Sequence, residues 1–199
     1  MLIVITAENL IVNECRQLNA MFAAGLQILH LRKPGYTEKQ YTKLLMGIET
    51  HYHQRIVLHD HHRLCKKVKV KGIHVKEAFR KQLGDRLYDY LQNYKKDGFT
   101  VSSSFHDVET LKSRVPFFDY VMLSPVFDSI SKEGYHGKGF MVEGIKDNII
   151  ALGGVTGDKL KSLLEMGYSG AAVLGAVWKA NNPQEAFSDI MKAQNVLNR

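Results

Sequence analysis

The chain has 199 residues, enough for one domain with its own core and too few for two ordinary enzyme domains joined by a linker. With 45% hydrophobic and 24% charged residues, the composition excludes extensive disorder, collagen-like repeats and fibrous structure. A formal net charge of +7 favours anionic partners, while Cys15 and Cys65, far apart and without CxxC or metal-finger spacing, fit a reducing cytoplasmic interior.

The first run, Leu2–Thr6, is too short for a signal peptide core and meets Glu8 at once, so it reads as a strand. Further β-branched or apolar runs follow at Leu26–Leu31, Arg55–His59, Gly72–Val75, Phe99–Ser103, Tyr120–Leu123, Asn148–Leu152 and Gly170–Leu174. Several are apolar at nearly every position, as strands covered on both faces of a parallel sheet should be. Helical signals lie between them. Thr37-x-x-Gln40 makes a capping box before an apolar stripe of Tyr41, Leu44, Leu45 and Ile48. Thr156 and Gly167 bracket Leu160, Leu163 and Leu164, and Asn182-Pro183-Gln184-Glu185 places a cap, an N1 proline and an N3 glutamate in order. Met21, Phe22, Leu163 and Leu164 read as core, and Cys15 as a small buried apolar group. The weakest helices are the third, around His62–Val68, and the sixth, after Lys138.

Eight strand–helix units of roughly 25 residues predict a single (β/α)8 TIM barrel with short loops, spanning 1–199 as one domain. An open doubly wound sheet binding a dinucleotide would follow its first strand with GxGxxG, whereas Ala7-Glu8-Asn9 follows Thr6. No apolar run nears the roughly 20 residues of a membrane-spanning helix. The basic stretch Arg63–Lys71 lacks interleaved aromatics and reads as a solvated face, not a nucleic-acid surface.

In such barrels chemistry gathers where strands end. Gly153, Gly154 and Gly175, after the last two strands, offer bare backbone N–H groups to a phosphate. Arg32 and Lys132 are cations placed to hold a phosphate or an anionic leaving group. Asp60 can hold Mg²⁺ through one carboxylate, with Glu77 after the next strand as a second ligand. His59, Asp60, His61 and His62, with His30 and His74, also permit a Zn²⁺ reading. Adjacent histidines in a strand point opposite ways, and neither HExxH nor a first-strand HxH is present, so zinc catalysis is set aside.

Taken in order, these residues resemble the thiamine phosphate synthase superfamily, which includes a thiazole tautomerase branch. The likeness runs through Gly25–Arg32, Leu58-His59-Asp60, Gly72–Val75, the serines before His106, Asp119–Phe127, Ser129–Lys132, Ala151–Thr156 and Gly167–Val173. The resemblance implies a transferase that joins a pyrimidine methyl diphosphate to a thiazole phosphate and releases Mg²⁺-bound pyrophosphate. It assigns pyrophosphate to Arg32, Lys132 and a serine such as Ser103 or Ser104, magnesium to Asp60, and the thiazole phosphate to Ser129, Ser131 and the glycine backbone.

Departures accompany the likeness. His30 and His59 stand where the synthase pattern has glutamine and asparagine, and Glu77 substitutes for an acidic metal ligand whose own place falls near Ala78-Phe79. His30 matches the tautomerase branch, where a metal-independent acid/base moves a proton, but that branch has a second histidine where this chain has Pro125. The expected activity is a divergent synthase in thiamine biosynthesis, with His30, Arg32 and Lys132 catalytic and His59 at the substrate. A tautomerase and a non-catalytic phosphate-ligand binder are the alternatives. Expected partners are small phosphorylated substrates in the cytoplasm, neither nucleic acid nor membrane, with a homo-oligomer left open.

Overall fold

A computed structural model describes the chain apart from residues 115, 116, 131–133, 135, 146, 147, 198 and 199. Eight parallel strands close in sequence order: β1 (Leu2–Ile5), β2 (Ile28–Leu31), β3 (Ile56–Leu58), β4 (Gly72–Val75), β5 (Thr100–Phe105), β6 (Tyr120–Leu123), β7 (Ile149–Leu152) and β8 (Gly170–Val173). Pairing of Leu2 with Ala171 and of Val4 with Val173 closes β8 onto β1. The architecture is the (β/α)8 barrel that the alternation predicts.

Nine helices are described: α1 (Glu14–Ala23), α2 (Glu38–Met46), α3 (Leu64–Val68), α4 (Glu77–Leu83), α5 (Leu87–Lys95), α6 (Val108–Arg114), α7 (Leu160–Glu165), α8 (Gly175–Trp178) and α9 (Pro183–Leu197). The two units with weak sequence signals are also the weakest in the fold. The third carries only the five-residue α3, and the described residues between β6 and β7 contain no helix.

Local chemistry accounts for the firm elements. Thr37 Oγ1 accepts the Gln40 backbone N–H at 3.3 Å, and Gln40 Oε1 accepts the Thr37 N–H at 2.9 Å, completing the capping box that starts α2. Asn182 Oδ1 accepts the N–H groups of Gln184 and Glu185, capping α9. Caps of this kind stabilise a helix by about 1 kcal/mol. Two core expectations need correction. Leu164 is 52% exposed, because Leu160 and Leu163 already present one side of the short α7 to the barrel and the next residue turns away. Cys15 is only partly buried.

Strand alternation divides the core into two layers. Outward residues such as Val4, Leu29, Leu31, Leu58, Val75 and Val101 pack under the helices. Inward residues fill the barrel: Ile3, Ile5, Ile28, Val57, Met122, Ile150 and Ala172 are apolar, and Tyr120 joins them. The remaining space around the axis holds His30, His59, His74 and Ser102, all at most 4% exposed. That polar sector lies directly beneath the strand ends.

Candidate active site

At the C-terminal mouth, successive strands deliver side chains to one cavity of about 310 Å³, the size of a small-ligand site. Its wall takes Arg32 from the end of β2, His59 from β3, and His74, Lys76 and Glu77 from β4 and the turn after it. Ser104 and His106 come from β5, and Ser124, Pro125 and Ser129 follow β6. Gly153 and Gly154 follow β7, and Gly175 follows β8. The expected Arg32, His59, Glu77, Ser104, Ser129 and three glycines are thus brought together on one rim. Ser131 and Lys132 lie outside the described residues.

Ser103 faces the other way. Its two neighbours point into the barrel, so alternation turns it outward, where its hydroxyl donates to the Val75 carbonyl at 2.6 Å. Ser104 is therefore the serine of this run that reaches the cavity. His30 also differs from its expected catalytic placement. It is fully buried and absent from the cavity wall, with its ring nitrogens 2.8 Å from His59 Nε2 and 2.6 Å from the Tyr120 hydroxyl. A group so placed acts on a ligand only through its neighbours.

The rim charges are paired. Arg32 Nη1 holds Glu8 Oε1, and Thr6 and Arg32 exchange two hydrogen bonds of 2.8 and 2.9 Å that lock the end of β2 to β1. Lys33, the next cation, turns inward instead: its Nζ lies 2.8 Å from both Glu14 Oε2 and the Asn9 carbonyl and ties down the loop after β1. Burial raises the Glu14 carboxyl pKa, and Lys33 opposes that shift.

The acidic pair expected to hold magnesium is differently engaged. Asp60 Oδ1 accepts from Lys76 Nζ, and Asp60 does not line the cavity. Glu77 binds Lys81 Nζ at 2.8 Å and faces His106 Nε2 at 3.4 Å. The hydrogen bond from Lys81, with a lesser contribution from His106, holds the Glu77 carboxyl below the usual range. Each carboxylate pairs with its own lysine, while Asp60 Oδ2 stays buried without a partner, so Asp60 keeps an oxygen with which it would hold a magnesium ion.

Gly153 and Gly154 have φ of +97° and +64°, backbone that favours glycine. A Cβ on Gly153 would lie 2.9 Å from Pro125 Cα, and one on Gly154 would lie 2.1 Å from the Asp128 carbonyl oxygen. Glycine is required here to seat the β7 turn against the β6 loop, and the same absence of side chains leaves bare backbone on the cavity wall.

Three site residues escaped the sequence reading. Lys76 precedes the predicted Glu77 and holds Asp60, and Glu8 faces Arg32. His106 donates from Nδ1 to the Ser124 carbonyl at 2.8 Å, which leaves Nε2 toward Glu77. The rule that chemistry follows each strand end would have found Lys76 and His106, both within two residues of one. Of the histidine triplet, His61 and His62 are structural. His61 Nε2 meets the Tyr36 carbonyl, and His62 contacts the Tyr90 hydroxyl and the His74 carbonyl, its pKa lowered by burial to about 4.

Comparison with known proteins adds a family to this geometry. The family model for thiamine monophosphate synthase matches residues 2–177. A crystal structure of thiamine phosphate pyrophosphorylase from Bacteroides thetaiotaomicron superposes with a TM-score of 0.74 at 30% identity, covering 98% of both chains. The thiamine-phosphate synthase of Caldicellulosiruptor bescii is 28% identical over 162 residues, 74% of this chain and 69% of that one. That of Salinibacter ruber is 40% identical over 74 residues, about a third of each chain.

Proposed function

Because the chain belongs to the thiamine monophosphate synthase family, we propose that it is a divergent thiamine phosphate synthase. In this reading it is a transferase in thiamine biosynthesis that joins a pyrimidine methyl diphosphate to a thiazole phosphate. The methylene C–O bond breaks and its electron pair leaves with pyrophosphate. The thiazole nitrogen lone pair forms the new C–N bond. Arg32 and Lys76 stabilise the departing diphosphate, which displaces the carboxylates each cation now holds. Ser104 adds a hydroxyl on the same side. The Gly153, Gly154 and Gly175 backbone, with Ser129, takes the thiazole phosphate opposite, so both reactants are aligned before the bond forms. Lys132 and Ser131, which follow β6 in the sequence, keep their proposed roles.

The observation that carries this reading is one cavity with cations on one wall and bare glycine backbone on the other. Its partners are then small phosphorylated molecules of the cytoplasm. Among the described residues, no helix is long and apolar enough to cross a membrane. Purified protein given both substrates in a magnesium buffer should release pyrophosphate, and Arg32→Gln should slow release by about 100-fold. Absence of release despite normal thiazole phosphate binding would instead make the protein a non-catalytic binder.

One observation favours a second reading. A tautomerase needs a histidine near Pro125, and His106, arriving from β5, bonds the adjacent Ser124 and faces Glu77. Incubating the thiazole carboxylate phosphate in deuterated water separates the two activities: exchange that is lost in His106→Gln, without pyrophosphate chemistry, would favour proton transfer.

A further inference from the structure

The sequence argument against zinc concerns histidines adjacent in one strand. Histidines on neighbouring strands are a different case, because the inward positions of adjacent strands all face the barrel axis. His30 on β2, His59 just past β3 and His74 on β4 do this. Each offers one ring nitrogen, and the three nitrogens lie within 4.8 Å of one another. Among the described residues this is the one such group of histidine, cysteine or carboxylate donors.

From this convergence we propose that His30, His59 and His74 form a transition-metal site of the zinc class on the barrel axis, beneath the cavity floor. Four observations support it. First, the donor set is all imidazole, which suits zinc, cobalt, nickel or copper and not magnesium, whose preferred ligands are oxygens. Second, three histidines leave a tetrahedral ion one open position, and His59 and His74 both line the cavity, so that position faces a bound ligand.

Third, the hydrogen bonding is incomplete without an ion. Tyr120, His30 and His59 form one chain, with contacts of 2.6 and 2.8 Å. Whichever direction the protons run along it, Nδ1 of His59 remains buried without a partner, although the residue is only 4% exposed. Fourth, the surroundings are those of a supported site. Tyr120 steadies His30, and Ser102 and Ser104 each hold one nitrogen of His74 at 2.9 Å, so that one serine would stay as its support when the other gives way to the ion. Ligation through Nδ1 of His59 would use its unpartnered nitrogen, and His30 would give up its contact with either His59 or Tyr120 to reach the same ion.

The test uses the full chain freed of metal and titrated with Co²⁺. One equivalent should produce the intense visible absorption of four-coordinate cobalt, and Zn²⁺ should abolish it by competition. His59→Gln should weaken binding by more than roughly 100-fold, beyond the loss expected of a supporting residue. His51→Gln, at a histidine whose side chain is 64% exposed, should leave binding unchanged. In case the His59 variant fails to fold, imidazole nitrogen NMR of the unmodified protein gives a second readout: Zn²⁺ should shift His30, His59 and His74 together. Pale six-coordinate cobalt, or shifts confined to His51 and His136, would overturn the proposal. Since no substrate enters the experiment, its failure would leave the synthase reading standing.

Discussion

The two halves of the barrel interior are equally buried and chemically opposite. On one side Ile3 and Ile5, Met122, Ile150 and Ala172 fill space with side chains that need no partners. On the other, alongside Ile28 and Val57, His30, His59, His74 and Ser102, with Tyr120, bond one another through short hydrogen bonds that leave Nδ1 of His59 without a partner. The same two-residue alternation produced both, so the difference lies in which residues occupy the inward positions. The split continues at the mouth. The glycine turns stand at the ends of β7 and β8, above the apolar half, while Arg32 and Lys76 stand at the ends of β2 and β4, above the polar half. A barrel divided this way has two chemically distinct walls, which the proposed synthase reading assigns to two phosphates.

Acid should separate the halves most strongly. Burial lowers the pKa of His30 to about 3 and of His62 to about 4, and holds His59 and His74 well below 6.5. The unfolded chain takes up these protons below about pH 6.5 while the native barrel refuses them. Stability should therefore be full above that value and decline as the pH falls toward the native values near 4 and 3. The slope is up to about 1.4 kcal/mol per pH unit for each buried imidazole. Urea midpoints measured between about pH 7 and pH 5 check this, and a flat profile would contradict a neutral polar half.

The apolar half should respond to volume instead. Ile150 is fully buried, and Ile150→Ala should reduce stability by about 2–5 kcal/mol while leaving the acid slope unchanged. Urea unfolding at two pH values measures both quantities. A large change in slope would mean that the two halves are coupled and the division is not real.

The barrel itself was legible because buried parallel strands and capped helices leave strong local patterns, as at Ile3-Val4-Ile5 and Thr37-x-x-Gln40. Unit six left no such pattern, and no helix is described there. The site was legible to the extent that it follows strand ends, which located Arg32, His59, Glu77, Ser104 and the glycines on one rim. What a side chain faces was less accessible. Ser103 and Ser104 are chemically identical in sequence, and only strand phase sends one outward. Asp60 looks like a free metal ligand until Lys76, sixteen positions later, is folded against it. The histidine cluster was legible only as a list: His30, His59 and His74 were named together, but they belong to three strands, so spacing along the chain did not separate them from His61 and His62, which face elsewhere.

The central claim is that one mouth holds two phosphates on opposite walls. A crystal structure of the protein soaked with pyrophosphate and thiazole phosphate tests it most directly. The account predicts pyrophosphate against Arg32 and Lys76, and the thiazole phosphate on the backbone N–H groups of Gly153, Gly154 and Gly175. Both anions on the same wall, or the glycine turns bare while phosphate sits elsewhere, would contradict it.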